Sequence, residues 1–194
     1  GGFVEESSPS LFARWLAIAT FAPFFRVHSM VNVRDSEPWA YGEEVEEISR
    51  NYINLRYQMM PYLYSLFHEA HTSGMPINRS LAIDFTDDPE IYHGYAESAF
   101  TLGEWLLVCP TVSSQNYAKI YLPEGRWYRF FTDEISLGKQ HHIIETSMED
   151  LPVYAKEGAI IPLQSIVQNV QEAHDGELKL HIYHGEVESK QHLY

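Results

Sequence analysis

The chain has 194 residues, 45% of them hydrophobic and 14% aromatic, enough for a buried core and far above the aromatic content of a disordered tail. Thirteen basic residues against 27 acidic ones leave a formal net charge of −14, which argues against a surface for nucleic acid or anionic membrane. The single cysteine, Cys109, allows no internal disulfide and no thiolate metal cage, and no apolar run reaches membrane-spanning length.

The chain opens on Gly1-Gly2-Phe3-Val4 without an initiator Met and closes on His192-Leu193-Tyr194 in a strand-like run, so both ends read as cuts inside a longer protein. Ser8-Pro9, followed by Leu11, Phe12, Trp15, Leu16 and Ile18, predicts a helix with a serine cap and proline at its first position, with Arg14 beside the apolar residues. An apolar run from Phe21 then ends in Arg26 and, after Val27, His28. Strands buried on both faces read as such runs, as in a parallel α/β barrel. Polar residues at the C-terminal end of a barrel strand face the active site. Residues 21–26 are thus expected to be a strand, with Arg26 and His28 directed to one side. On pattern alone, an Arg and a His satisfied at a domain edge is an equal alternative. A loop to Gly42 follows, carrying Arg34, Asp35, Glu37, Pro38 and Trp39.

From Glu43 to about Ser73 the pattern is helical. Val45, Ile48, Tyr52, Leu55, Met59, Leu63, Leu66 and Ala70 keep one face apolar. Glu43, Glu44, Glu46 and Glu47 suit the positive end of the helix dipole. Gly74 supplies a left-handed stop. Pro61 removes a backbone donor inside this stretch, which predicts a kink or two consecutive helices.

Beyond Gly74-Met75-Pro76 the composition shifts to β-branched and aromatic residues. Short β-type runs are expected over 77–85, 105–109, 119–122, 127–131, 142–146, 153–155, 159–163 and 178–183, separated by turns such as Thr86-Asp87-Asp88-Pro89 and Pro123-Glu124-Gly125. Regular short strands with turns are the mark of a β-sandwich. The predicted fold class is a fragment of an α/β barrel, its last helix–strand–helix, followed by an all-β sandwich domain. The expected division is 1–74 for the barrel end, 75–165 for a proximal β-sandwich, and 166–194 for a linker and the start of an incomplete distal β domain.

Most other polar clusters have ordinary structural readings. Asp87-Asp88 stands before Pro89, which is turn or cap chemistry rather than acid/base chemistry. His68 and His71 lie three apart on a helix with no third ligand nearby, while His141-His142 and the pair His181 and His184 diverge on strands, so no metal site is expected. No phosphate-binding glycine loop and no Gly-x-Ser-x-Gly elbow occurs, and no cofactor is expected. Trp105, Trp127, Tyr128 and Phe130 make either a sugar-stacking platform or, as is commoner in a sandwich, core.

The order Gly1-Gly2-Phe3, Arg14-Trp15, Pro23-Phe24-Phe25-Arg26-Val27-His28-Ser29, Glu37-Pro38-Trp39, Arg56-Tyr57, Pro61-Tyr62-Leu63-Tyr64, Phe85-Thr86-Asp87-Asp88-Pro89 and Leu102-Gly103 resembles glycoside hydrolase family 31. So do Leu106-Leu107-Val108-Cys109-Pro110, Tyr121-Leu122-Pro123-Glu124-Gly125-Arg126-Trp127, Leu151-Pro152-Val153-Tyr154 and Gly158-Ala159-Ile160-Ile161-Pro162. Within that family the wording is most similar to the α-glucosidases, with α-xylosidases and α-galactosidases sharing much of it. Ala17, Ala19, Thr20 and Ser80 depart from the usual wording at positions that bear on packing.

The resemblance implies a C-terminal part of a larger enzyme that hydrolyses terminal α-glucosidic bonds of oligosaccharides with retention. It makes residues 8–20 the seventh barrel helix, 21–28 the eighth strand and 43–73 the closing helices. It implies that His28 hydrogen-bonds the sugar in the −1 subsite, that Phe3 lines the entrance near the +1 subsite, and that Arg26 supports the site without touching substrate. It also implies that both catalytic aspartates come from earlier barrel strands outside these residues, leaving this segment inactive alone. The competing expectation is a non-catalytic carbohydrate-binding β-sandwich, which would need exposed co-planar aromatics.

Overall fold

The computed structural model describes residues 6–112, 114–172, 177–186 and 189–194. Its first helix, α1 (Pro9–Thr20), starts as its sequence dictates: Ser8 Oγ accepts the Leu11 N–H at 3.1 Å, and Pro9 occupies the first turn, where a missing N–H leaves no bond unmade. Phe12, Ala13, Leu16 and Ala17 are buried against α2 (Glu43–Gln58). The long helical pattern breaks at Met59, which is fully buried, and resumes as α3 (Met60–Ser73) with Pro61 in its first turn. Gly74 closes α3 in the left-handed conformation, φ 78°, its N–H returning to the Ala70 carbonyl at 3.0 Å.

The remainder is mainly antiparallel β-structure. Its strands are β1 (Asn78–Ser80), β2 (Phe100–Leu102), β3 (Leu106–Val108), β4 (Tyr117–Leu122) and β5 (Arg126–Arg129). They continue as β6 (Ile135–Leu137), β7 (Gln140–Glu145), β8 (Val153–Lys156), β9 (Ile160–Leu163) and β10 (Lys179–Ile182). Six of them form one sheet in the order β1-β2-β3-β8-β5-β6, and β4 with β7 and β9 with β10 form two-stranded sheets.

Alternation along the strands builds two cores from one sheet. Leu106, Val108, Tyr128, Val153 and Ala155 face the helices and join Phe12, Leu16, Val45, Ile48, Leu63 and Leu66 in one cluster. Leu107, Cys109, Trp127 and Tyr154 face the other way, onto Ala118, Ile120 and Leu122 of β4. The six-stranded sheet thus lies between helices on one side and the β4–β7 ribbon on the other. Trp127, Tyr128 and Phe130 are spent in these cores, so the aromatic platform is core packing.

Three expectations differ from the structure. Residues 77–85 are not one strand: β1 ends at Ser80, whose Oγ accepts the Ala82 N–H at 3.3 Å and starts a single helical turn, α4 (Leu81–Asp84). The strands β2 and β6 lie outside the predicted runs. Residues 21–26 leave α1 through a turn and bends and continue, among the described residues, without a strand partner. Strand geometry needs a neighbour for its backbone groups. Among the described residues that neighbour is a side chain, Arg56, rather than another strand.

Candidate functional site

The segment that carries the candidate residues is aimed from its first residues. Phe21 caps α1, fully buried, its N–H shared between the Ile18 and Ala19 carbonyls. The Arg56 guanidinium then takes the carbonyls of Thr20 at 2.8 Å, Ala22 and Pro23 at 3.1 Å, and lies 5.8 Å from the centroid of the Phe25 ring. Burial pulls the Arg56 pKa below its ordinary value. The chain emerges at Arg26, Val27 and His28, all exposed. Arg26 extends over the Phe24 ring, 6.0 Å from its centroid.

The loop after His28 is tied down on both sides. Ser36 donates its hydroxyl to Ser29 Oγ at 2.6 Å, closing the loop at its base. Arg34 lies over the Tyr41 ring at 5.2 Å and pairs with Glu6 at 3.6 Å. Tyr41 stacks on Phe12 of α1 at 4.1 Å and meets the Ser7 hydroxyl at 2.9 Å. The chain just before α1 and the loop just after His28 are therefore held side by side. Phe3 lies outside the described residues. An exposed imidazole and the Ser29 hydroxyl on a braced loop suit a ligand that both donates and accepts hydrogen bonds, as a polyol does.

Elsewhere the reactive residue types have structural duties. Asp88 Oδ1 accepts the Glu90 N–H at 3.1 Å, and its Oδ2 accepts the Tyr121 hydroxyl at 2.6 Å, so this carboxylate is a cap. His141 meets Glu90 at 3.2 Å, His142 meets the Leu137 carbonyl at 3.0 Å, and His68 stacks on Tyr194 at 3.7 Å. Among the described residues, no three His, Cys, Asp or Glu side chains are placed to hold a metal ion. Cys109 is buried, and burial pushes its thiol up to about 12, which removes it as a nucleophile.

Two arginines carry duties that their sequence patterns did not assign. Arg14, noted only as polar beside an apolar stripe, is 5% exposed and donates to Thr111 Oγ1 and, at 2.9 Å, to the Gln115 carbonyl, pinning α1 to the loop after β3. Arg56 is the other. Both bind backbone or hydroxyl oxygens far away in sequence, so only the resemblance, which includes Arg14-Trp15 and Arg56-Tyr57, pointed at them.

Comparison with known proteins bears on the whole chain. Residues 1–66 match the glycosyl hydrolases family 31 TIM-barrel domain, and residues 74–161 match the glycosyl hydrolase family 31 C-terminal domain. The chain is 38% identical over 184 residues to alpha-glucosidase 2 of Bacillus thermoamyloliquefaciens, which covers 94% of this chain and 23% of the relative. It is 32% identical over 192 residues to an alpha-xylosidase of Saccharolobus solfataricus, covering 95% of this chain and 26% of that protein. It superposes on a family 31 dextranase of Flavobacterium johnsoniae, solved with isomaltotriose, with a TM-score of 0.86 and 34% identity over 92% of this chain and 22% of the dextranase. The chain therefore spans about a quarter of the length of these relatives, across the end of the barrel and into the domain that follows. The braced turn after α1, the helices that close over it and the antiparallel sandwich they pack on belong to glycoside hydrolase family 31.

Proposed function

We propose that this chain closes the catalytic barrel of a retaining glycoside hydrolase that cleaves terminal α-glucosidic bonds in oligosaccharides. The observation that carries the reading is the match to two successive domains of one family, with 38% identity to an α-glucosidase over 94% of the chain. In this reading residues 1–74 end the barrel, 75–165 form the proximal β-sandwich, and 166–194 link to a distal β domain.

Retention requires two carboxyl groups about 5–5.5 Å apart across the scissile bond. One attacks the anomeric carbon and forms a glycosyl-enzyme. The other protonates the departing oxygen and then takes a proton from the water that hydrolyses the intermediate. Polypeptide outside this chain supplies both. The described residues serve binding. His28 holds a hydroxyl of the sugar in the −1 subsite, a contact that raises kcat to the extent that it tightens as the ring approaches its planar transition state. Phe3 is assigned to the entrance near the +1 subsite, and Arg26 supports the site without touching substrate.

The intact enzyme should release the α-anomer first, seen by proton NMR. Its kcat/KM on nitrophenyl α-glucoside should exceed those on the α-xyloside and α-galactoside by at least about tenfold, the scale on which one substituent is discriminated. A preference for the xyloside would move the substrate to the α-xylosidase reading. Turnover by the 194-residue chain alone would contradict the assignment of the carboxylates elsewhere.

A further inference from the structure

The exposed Arg26-Val27-His28 segment has no neighbouring strand among the described residues to set its direction, yet the chain entering it is held at four points by one side chain. Helix α1 ends with no basic residue in its last turn. Its terminal carbonyls need donors from elsewhere, and Thr20 is fully buried, out of reach of water. Arg56 meets this need from another helix, 36 residues along the chain. Nη1 donates to the Thr20 and Ala22 carbonyls, Nη2 donates to the Pro23 carbonyl, and the guanidinium plane covers Phe25.

The mount itself is rigid. Arg56 stands in the last turn of α2, two residues before Gln58, whose carbonyl accepts the Gln164 N–H of the β-domain at 2.9 Å. One turn earlier on the same helix, the Tyr52 hydroxyl donates to the Glu149 carbonyl at 2.6 Å. The β-domain thus braces α2, α2 carries Arg56, and Arg56 holds the turn from which His28 projects. A planar fork with five N–H donors can hold three diverging carbonyls at once, whereas an ammonium is a single point.

We propose that Arg56 is the positioning residue of the His28 segment, setting the geometry of the −1 subsite through the carbonyls of Thr20, Ala22 and Pro23. This rests on the reading of His28 as a sugar ligand. It gives the β-domain a part in catalysis: its contacts with α2 become sugar alignment, where an error of about 1 Å costs up to about a hundredfold.

A double-mutant cycle on kcat/KM of the intact enzyme tests it. Arg56→Ala should lower kcat/KM about tenfold or more with His28 present, but less than about twofold in the His28→Ala background, because a group that acts through His28 has nothing left to align. Arg56→Lys should fall between Arg56→Ala and the parent. A merely structural arginine would give two losses that multiply, and that result overturns the proposal. Should Arg56→Ala not fold, the same cycle with Arg56→Lys decides between coupling and multiplication. If His28→Ala keeps the parent kcat/KM, the sugar-ligand reading fails and the positioning role falls with it. If His28→Ala is impaired and the losses multiply, the positioning role alone falls.

Discussion

Single residues in this chain carry constraints out of proportion to their size, and Gly103 shows how. It sits in the turn between β2 and β3 with φ 63°, a conformation that costs other residues about 1–3 kcal/mol. A Cβ there would come within 2.5 Å of Leu66 Cδ2 and 2.9 Å of the Tyr62 hydroxyl, which is already engaged with the Leu102 carbonyl at 2.7 Å. The strain and the overpacking add. Gly103→Ala is therefore expected to destabilise the fold by about 2–4 kcal/mol and to lower Tm by about 5–15 °C for a chain of this size. Calorimetry showing an unchanged Tm would mean that α3 does not press on this turn as described.

At the scale of elements, what could be read beforehand was whatever is decided locally. Ser8-Pro9 starts α1 and Gly74 stops α3 because a cap and a left-handed residue act within one turn. Pro61 divides the long helix because its missing donor is harmless only in a first turn. Asp88 is a cap for the same local reason. The misreadings are mostly non-local, the exception being Ser80, a local cap hidden in a β-rich run. Its hydroxyl caps α4 and ends β1. The short β2, Phe100–Leu102, is a strand because Asn78–Ser80 and Leu106–Val108 pair with it on either side. The run from Phe21 to Arg26 has the composition of a buried strand, and within the described residues its Ala22 and Pro23 carbonyls are met by Arg56 instead. The candidate site was legible in the same measure. His28 and Arg26 stood out by pattern, but what holds the turn leading to them comes from Arg56 on a later helix.

At the scale of the whole molecule, the two cores make the fold sensitive to base. Burial pushes the Cys109 thiol from 9.0 up to about 12, and the Tyr154 phenol from 10.0 up to about 12. Burial also raises the phenols of Tyr52 and Tyr62. Each raised group keeps its proton in the folded state after the unfolded chain has released it. The unfolded state then binds fewer protons, and stability falls as pH rises. The contribution is whole below pH 9.0, the thiol's ordinary value, and is lost progressively up to about pH 12. Urea midpoints should decline from about pH 9 upward, and in Cys109→Ala the decline should begin only near pH 10, where the phenols take over. An identical onset in both proteins would show that Cys109 is not held as a buried thiol.

At the same scale, the β-domain supports α2, and α2 supports the turn that presents His28, the proposed sugar ligand. The most direct test of that account is kcat/KM of the intact enzyme on an α-glucoside with His28→Ala. Loss of a hydrogen bond that tightens in the transition state predicts a fall of about 10–100-fold with Tm unchanged within about 2 °C, since His28 is exposed and outside both cores. A parent-like kcat/KM would place His28 outside the sugar site and contradict the account.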